Sequence, residues 1–423
     1  MSFAKWLQPG FTPNSARKQH QHSKLAAVLV AALLLGYGPS SLAQSDADTI
    51  AELRAQISAL TNRLDQLEQQ GSRVTSSAPA AAPAQASSWT DRIRITGDLR
   101  PRYEYINDDA KASDRNRNRV RARAEIQADL GDGWGGGLGL ASGSDDPIST
   151  NQTLGNGGST KDLRLDLAYV TYKGFDNTTL TAGKYKNAFV RPGGQSLVYD
   201  GDYRPEGVAL NYEHDNLFFN AGTMILESDD KHDAQDKASL WGVQLGYETS
   251  LDDIGVSFGT SYYNASVAGS KPFYDNDPFG NSLDALGRYV HDYEELEFFA
   301  EASTTAGGKP LEFYADYITN LDADDFDTGW ALGVSYGSAR GLGNWEVGYG
   351  YQVLEADAVL GTLTDSDFGG GGTDTEGHIL SAAYGIGNNT RVGFTYFINQ
   401  YGEARLGRKE DYNRLQMDIV FGF

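Results

Sequence analysis

Charged side chains recur at alternate positions in two parts of this sequence. The basic set consists of Arg100, Arg102, Arg119, Arg121, Arg123 and Arg164. The acidic set consists of Glu295, Glu297, Glu301, Glu312 and Asp316. Because alternate residues of an extended chain point to the same side, each set predicts one charged face. Two such faces across water would create a field that orients dipolar solutes and favours small hydrated ones over apolar ones.

A local role for the basic set is the alternative. The arginines could instead pair with nearby carboxylates and stiffen the structure, and the candidate partners are Asp98, Glu104, Glu125 and Asp166.

Covalent chemistry has little support in the sequence. Cysteine is absent, which excludes thiolate nucleophiles and disulfides. Beyond residue 43 the histidines are His214, His232, His291 and His378, and no serine–histidine motif accompanies them. We therefore expect no catalytic residue, no cofactor and no metal site. The acidic loops at residues 324–329 and 364–377 could bind calcium weakly through oxygen ligands, and the alternative is that they are solvated.

Short segments with a period of two must position these charges. In the first segment, Ile93, Ile95 and Leu99 alternate with polar residues, and the pattern continues from residue 92 to residue 423. An inner face this polar cannot fill a dry core, so water must occupy the interior. Sixteen such segments can be counted. The sequence therefore predicts an all-β fold, a sixteen-stranded antiparallel transmembrane β-barrel, because only a closed barrel satisfies strand backbones in lipid.

The connections between predicted strands alternate in length. Short turns such as Asp215-Asn216 and Asp252-Asp253 follow even-numbered strands. Long polar loops, including residues 143–161, 265–291 and 355–375, follow odd-numbered strands. This alternation predicts periplasmic turns, external loops and both barrel ends in the periplasm.

Aromatic residues fall on the predicted lipid-facing positions, mostly near strand ends, as in the girdles of membrane barrels. They are Trp134, Tyr169, Trp241, Tyr247, Trp330, Tyr336, Trp345, Tyr349 and Tyr384. The last strand alternates in the same way and ends at Phe423.

The N-terminal segment has the features of a secretory signal peptide at residues 1–43. Basic residues precede an apolar run of residues 25–35 that is too short to cross a bilayer, and Ser41-Leu42-Ala43 resembles a cleavage site. Cleavage would leave 31 basic and 57 acidic residues. Nucleic acid is therefore excluded as an expected partner.

Residues 44–70 predict a short coiled coil. Apolar residues recur in alternating steps of three and four, and the seam comprises Ile50, Leu53, Ile57, Leu60, Leu64 and Leu67. Such a seam indicates a homo-oligomer and leans towards a dimer by rule. The alternative is a single amphipathic helix lying on another surface. Residues 71–91, rich in Ser, Ala and Pro, predict an extended linker.

Two segments resemble a family of Gram-negative outer-membrane porins related to the general-diffusion porins. They are RITGDLRPRYEY at residues 94–105 and LVYDGDYRPEGVALNY at residues 197–212. The resemblance implies a sixteen-stranded barrel in the outer-membrane lipid, a homotrimer, and passage of small hydrophilic solutes. The predicted coil would then lie in the periplasm.

In such porins the third external loop folds into the channel and narrows it. Here this loop would run from about Asn187 to Pro205, and its charged constriction residues would be Arg191, Asp200, Asp202 and Arg204. An exposed loop with solvated charges is the alternative. The sequence lacks the acidic motif found in this loop of the best-known general porins.

The resulting functional prediction is a passive outer-membrane channel for small hydrophilic solutes and ions. The alternative is a structural barrel that its coiled coil tethers to the cell wall or to periplasmic partners.

Overall fold

The computed structural model describes residues 89–228 and 237–423. Sixteen long strands, β1 to β16, run through these ranges. Their bounds are Ile93–Asp108, Arg115–Gly131, Trp134–Ser142, Leu163–Phe175, Thr178–Lys184, Glu206–His214, Leu217–Glu227, Ala238–Leu251, Ile254–Ala265, Tyr293–Ala306, Lys309–Asn320, Thr328–Gly337, Trp345–Leu354, Thr375–Gly385, Thr390–Tyr401 and Glu410–Gly422. The predicted signal peptide, the coiled coil and the linker up to residue 88 lie outside the described residues.

The strands close into one antiparallel barrel. Each strand pairs with the next one in the chain, and β1 also pairs with β16. The closing seam includes Gly97, whose N–H and C=O exchange 2.9 and 3.0 Å hydrogen bonds with the backbone of Phe423. The predicted sixteen-stranded all-β barrel is therefore confirmed. A two-residue strand, Gln152–Thr153, pairs with β2 from within a long loop.

Short turns and long loops alternate around the barrel as the sequence predicts. Two-residue turns follow β2, β4, β6 and β8, and each carries an Asp or Asn in the left-handed backbone region. These residues are Asp132, Asn177, Asp215 and Asp252. Asp and Asn tolerate this conformation better than most residues, which explains their place in tight turns. The longest connections are the fifth loop, residues 266–292, the third loop, residues 185–205, and the second and seventh loops, residues 143–162 and 355–374.

The remaining helical elements in the described ranges are short. The 3-10 helices are Trp89–Arg92, Asn156–Gly158, Pro192–Gly194, Gly361–Leu363 and Phe368–Gly370, and one α-helix, α1, spans Glu403–Leu406. Within these ranges, no helix combines the length and apolarity needed to cross a membrane.

The two faces of the sheet differ in chemistry. Apolar side chains such as Ile95, Leu138 and Phe258 are exposed on the outer face. The inner face buries polar and charged side chains, including Asp98, Gln244 and Asp418. This is the reverse of a soluble barrel, and it is the arrangement expected of a barrel wall between lipid and a polar interior.

One aromatic prediction is wrong. Tyr169 was expected on the outer face with Trp134 and Tyr384, which are indeed exposed. Its hydroxyl instead donates a 2.7 Å hydrogen bond to the inner-face carboxylate of Glu125. The pairing of β3 with β4 shifts register next to Gly139 and Leu140, and such a bulge reverses the alternation of the residues beyond it.

Candidate functional site

An arginine-rich patch covers the inner face of β16, β1 and β2, and we call it the arginine wall. It consists of Arg100, Arg102, Arg117, Arg119, Arg121, Arg123 and Arg414. Strand register brings these side chains together, since Arg100 lies opposite Arg121 and Arg102 lies opposite Arg119. The wall thus joins the arginines that alternate in the sequence to Arg414 of the last strand.

Carboxylates of the same strands pair with most of these arginines. Asp98 accepts hydrogen bonds from Nε of Arg121 at 2.9 Å and Nε of Arg123 at 2.7 Å. Asp418 accepts two hydrogen bonds from Arg102, at 2.7 and 2.8 Å. Bidentate pairs of this kind fix the guanidinium plane as well as its charge. Local pairing, the alternative raised from the sequence, is therefore part of the arrangement.

Glu104 completes the local pairing. Its buried carboxylate contacts Arg117 and Arg414. The two other proposed local acids take different partners, since Glu125 pairs with Lys186 at 2.5 Å and Asp166 with Arg204 at 3.4 Å.

The acidic segment of the third loop contacts the inner face on one side of the barrel. Asp202 accepts a 2.7 Å hydrogen bond from Nη1 of Arg123 and lies 3.6 Å from Nη1 of Arg121. A second contact comes from the hydroxyl of Thr150, which donates to Asp202 at 3.1 Å. These contacts attach the loop to the arginine wall.

The same loop also contacts the opposite part of the ring. The backbone N–H of Gly193 donates a 2.6 Å hydrogen bond to Glu301 of β10. The side chain of Gln195 donates to Asp316 of β11. A loop that binds inner-face groups on β2 and on β10 and β11 must pass through the barrel interior.

Apolar side chains support this position. Phe189, Leu197 and Tyr199 of the third loop are buried, and they share one cluster with Tyr263 of β9 and Ile318 of β11. Phe189 and Tyr199 both pack edge-on against the ring of Tyr263, with centroids 5.0 and 5.2 Å away. Burial of this much apolar surface favours the inward position of the loop.

The seventh loop joins the third loop inside the barrel, which the sequence analysis did not predict. Its Asp367 accepts hydrogen bonds from Arg102 at 3.2 Å and from Gln416 at 2.9 Å, and it pairs with Arg414 at 2.7 Å. Next to it, Phe368 is fully buried. The sequence signal was the glycine run at residues 369–372, whose four glycines all have positive φ and allow a tight reversal.

The third and seventh loops are bonded to each other. The N–H of Asp200 donates to the carbonyl of Leu363 at 2.8 Å. The hydroxyl of Thr364 contacts the carbonyls of Ser196 and Leu197, each at 2.8 Å. Together the two loops form one inner layer, which we call the loop layer.

The carboxyl groups of the loop layer have contrasting pKa values. Burial would raise the pKa of Asp202, but the guanidiniums of Arg123, Arg121 and Arg204 outweigh it and hold this pKa well below the usual range. Asp367 is similar, because Arg414 and Arg102 overcome the effect of its burial and lower its pKa. Burial raises the pKa of Asp200 well above its ordinary value, and the nearby Asp365 and Asp202 raise it further. The layer therefore presents ionised carboxylates to the arginine wall. The carboxyl group of Asp200, at the contact between the third and seventh loops, is more readily protonated.

Arg191 was also predicted to line the constriction. Its side chain instead bonds to other residues of the third loop. Its Nη1 donates to Ser196 at 3.2 Å and to the carbonyl of Tyr199 at 3.3 Å. Burial lowers the pKa of Arg191, and Asp200 partly opposes this effect.

The acidic set is placed differently from the expectation. Glu295, Glu297 and Asp316 are buried at 1–3 % exposure between the barrel wall and the loop layer. Glu295 accepts a 3.1 Å hydrogen bond from the N–H of Leu360, and Glu297 accepts one from Ser261. Glu295 and Asp316 join loops to the barrel wall through Leu360 and Gln195, whereas Glu297 bonds within the wall. The alternation in the sequence predicts that these acids face inward, but it does not predict that the loops cover them.

The other two acids lie beyond the loop layer. Glu301 and Glu312 are half-buried and line a cavity of about 500 Å³ with Gly193 and Tyr314. Arg164, at the start of β4, is exposed and pairs with Asp162 at 3.2 Å. Among the described residues, no group of three or more His, Asp or Glu side chains is arranged to hold a metal ion.

A closed sixteen-stranded barrel with an apolar exterior, a charged interior and an inserted third loop defines the class of outer-membrane porins. Solved structures with a similar fold can be named. The high-pH structure of Pseudomonas putida OprB matches with a TM-score of 0.55 at 13% identity, covering 79% of this chain and 95% of that one. Salmonella typhi OmpF in complex with daunomycin matches at 14% identity and TM-score 0.47, covering 78% and 97%. Vibrio cholerae OmpT lacking loop L8 matches at 14% identity and TM-score 0.46, covering 78% and 99%.

The family can be stated more closely. The family model described as "Putative porin" matches residues 106–273 and 277–421. The chain belongs to this family. No curated protein matches this chain.

Proposed function

We propose that this protein is a passive channel for small hydrophilic solutes and ions in the outer membrane of a Gram-negative bacterium. The observation that carries the proposal is the contrast between an apolar outer face and an inner face of paired charges such as Arg102 and Asp418. Water is the only medium in which so many charged groups can be grouped at low cost. The mechanism is diffusion, and no reaction or cofactor is required.

The narrowest part of the path is proposed to lie at the level where the loop layer contacts the arginine wall, beside those contacts. Asp202 of the third loop and Asp367 of the seventh contact that wall. The transverse field therefore runs from the arginines of β16, β1 and β2 to loop carboxylates. This differs from the field first predicted, because Glu295, Glu297 and Asp316 of β10 and β11 are covered by the loops. A narrow ring of opposite charges selects solutes by size and by charge distribution.

The cellular setting of the proposal comes from the N-terminal sequence and the family. Residues 1–43 direct export as a signal peptide, and residues 44–70 form a periplasmic coiled coil joined to the barrel by the linker of residues 71–91. The assembly is proposed to be a homotrimer, as the resemblance to general-diffusion porins implies. The structural alternative, a barrel tethered to the cell wall through its coil, would not require an open interior.

Liposome swelling tests the proposal and its constriction separately. Liposomes containing the refolded mature protein are placed in uncharged sugars of increasing size, and the swelling rate is measured. We expect rapid swelling in pentoses and a decline with sugar size. Replacing residues 190–203 by a short glycine linker should extend the size limit. Failure of a folded barrel to admit the smallest sugar would contradict the channel, and an unchanged limit in the loop variant would contradict the constriction.

A further inference from the structure

Arg100 differs from its neighbours in the arginine wall. Its side chain is 8 % exposed, yet within residues 89–228 and 237–423 no carboxylate lies within 4 Å of its guanidinium. Its polar contact is a 2.7 Å hydrogen bond from Nη2 to the side-chain oxygen of Asn151. Its buried Nε, like those of Arg119 and Arg414, has no hydrogen-bond partner among these residues, so the lack of a carboxylate is what sets Arg100 apart. A buried guanidinium that keeps a free donor is costly unless it serves a ligand.

Arg100 lies between the two places where loops contact the arginine wall, through Asp202 and Asp367. On β2, its register partner Arg121 is engaged by Asp98 and lies 3.6 Å from Asp202. On β1, Arg102 is engaged by Asp418 and Asp367. Strand and loop carboxylates thus pair with the arginines on both sides and leave Arg100 unpaired between them. An anionic group entering this gap would meet one unpaired guanidinium and two further positive side chains.

We propose that Arg100 is the docking point for the carboxylate of a small organic acid on its way through the channel. This inference rests on the proposed channel function. The guanidinium offers its charge and its N–H donors to a carboxylate, and Asn151 holds it so that little side-chain freedom is lost on binding. Arg102 and Arg121 act on Arg100 electrostatically more strongly than Asp418 and Asp202 do, so the surroundings favour an anion at this place. Passage requires weak binding, and one charge-assisted contact provides it.

The test is single-channel current through the refolded mature protein in potassium chloride with benzoate added at constant ionic strength. Benzamide, neutral and of similar shape, is the control solute. In the wild type, benzoate should interrupt the current and benzamide should not. In Arg100→Gln, the benzoate concentration for the same effect should rise about tenfold, which corresponds to about 1.4 kcal/mol. For Arg100→Lys this concentration should lie between those of the wild type and Arg100→Gln, because lysine keeps the charge but lacks the planar set of donors.

Arg288→Gln is the matched control variant. It removes the same charge from an exposed position of the fifth loop, where Arg288 donates to the carbonyl of Gly269, and it should behave as the wild type. Equal benzoate effects in Arg100→Gln and the wild type would overturn the inference, and so would equal effects of benzoate and benzamide. Either outcome leaves the channel itself in place.

Absence of any potassium chloride current would instead contradict the proposed function. In that case, titration calorimetry of benzoate with the folded protein in detergent tests whether benzoate binds at Arg100. Heat of binding that Arg100→Gln abolishes would support the inference, and no heat in the wild type would overturn it.

Discussion

The carboxylate of Asp202 accepts a 2.7 Å hydrogen bond from the guanidinium of Arg123, and this contact joins the third loop to β2. This contact lies at the level of the proposed narrowest part of the water path. Their pairing fixes how far the loop extends and therefore how wide the path can be. It also leaves the arginine wall with more guanidiniums than carboxylates in contact with them.

Neutralising Asp202 should loosen the third loop. In Asp202→Asn the guanidiniums of Arg121 and Arg123 lose a charged partner, and breaking a largely buried pair costs roughly 3 kcal/mol. We expect a lower free energy of unfolding in urea, noisier single-channel currents and a shift of the reversal potential towards anions. Asp325→Asn, which removes the same charge from the exposed sixth loop, is the control. Currents and stability equal to the wild type would show that this contact does not position the loop.

The contact between the third and seventh loops should depend on pH through Asp200. Its carboxyl pKa is raised in the folded protein by burial, Asp365 and Asp202. A group with a raised folded pKa contributes stability that is fully present below the ordinary carboxyl pKa of about 3.9 and is lost as pH rises through the folded value. Current fluctuations should therefore increase from acidic to alkaline pH. Asp200→Asn should reduce this dependence, and an unchanged pH profile in that variant would assign the effect elsewhere.

Asp316 should tolerate neutralisation, in contrast to Asp202. Its Oδ1 has no hydrogen-bond partner among the described residues, and no lysine or arginine of those residues lies within ion-pair distance. An asparagine still accepts the hydrogen bond from Gln195 and removes an uncompensated buried carboxyl. Urea unfolding should show Asp316→Asn as stable as the wild type or more stable by about 1 kcal/mol. A loss as large as that of Asp202→Asn would mean that the charge of Asp316 is needed.

Deleting residues 44–88 should leave conduction intact. The strands of the described residues lie within residues 93–422, so the deletion removes none of them. We expect single steps of wild-type size, with any loss confined to the assembly state measured by analytical ultracentrifugation. Loss of conduction from a folded truncated barrel would favour the tethering alternative, since the coil would then be needed for more than assembly.

The strand pattern could be predicted from sequence because it is local. Alternation along each strand places Arg100 and Asp418 on the inner face without knowledge of the rest of the chain. Parity fails where the backbone departs from a regular strand, as at Tyr169 beyond the bulge between β3 and β4. One irregular pair reverses the face of the residues that follow it.

The cover of the inner face could not be predicted because it depends on contacts between distant segments. Glu295 meets the backbone of Leu360, and Asp367 meets Arg102, over separations that no local pattern records. Both contacts come from the seventh loop, for whose acids the sequence analysis considered weak calcium binding or solvation. The glycine run next to Asp367 was the available sign that this loop could turn inward.

The most direct test of the proposed function is single-channel conductance with reversal potential under a salt gradient, using the refolded mature protein in a planar bilayer. We predict stable ohmic steps in groups of three, from an open channel in each subunit of a trimer. Asp202→Asn should move the reversal potential towards anions. A correctly folded barrel that gives no steps would contradict the account, because the loop layer would then close the interior instead of narrowing it.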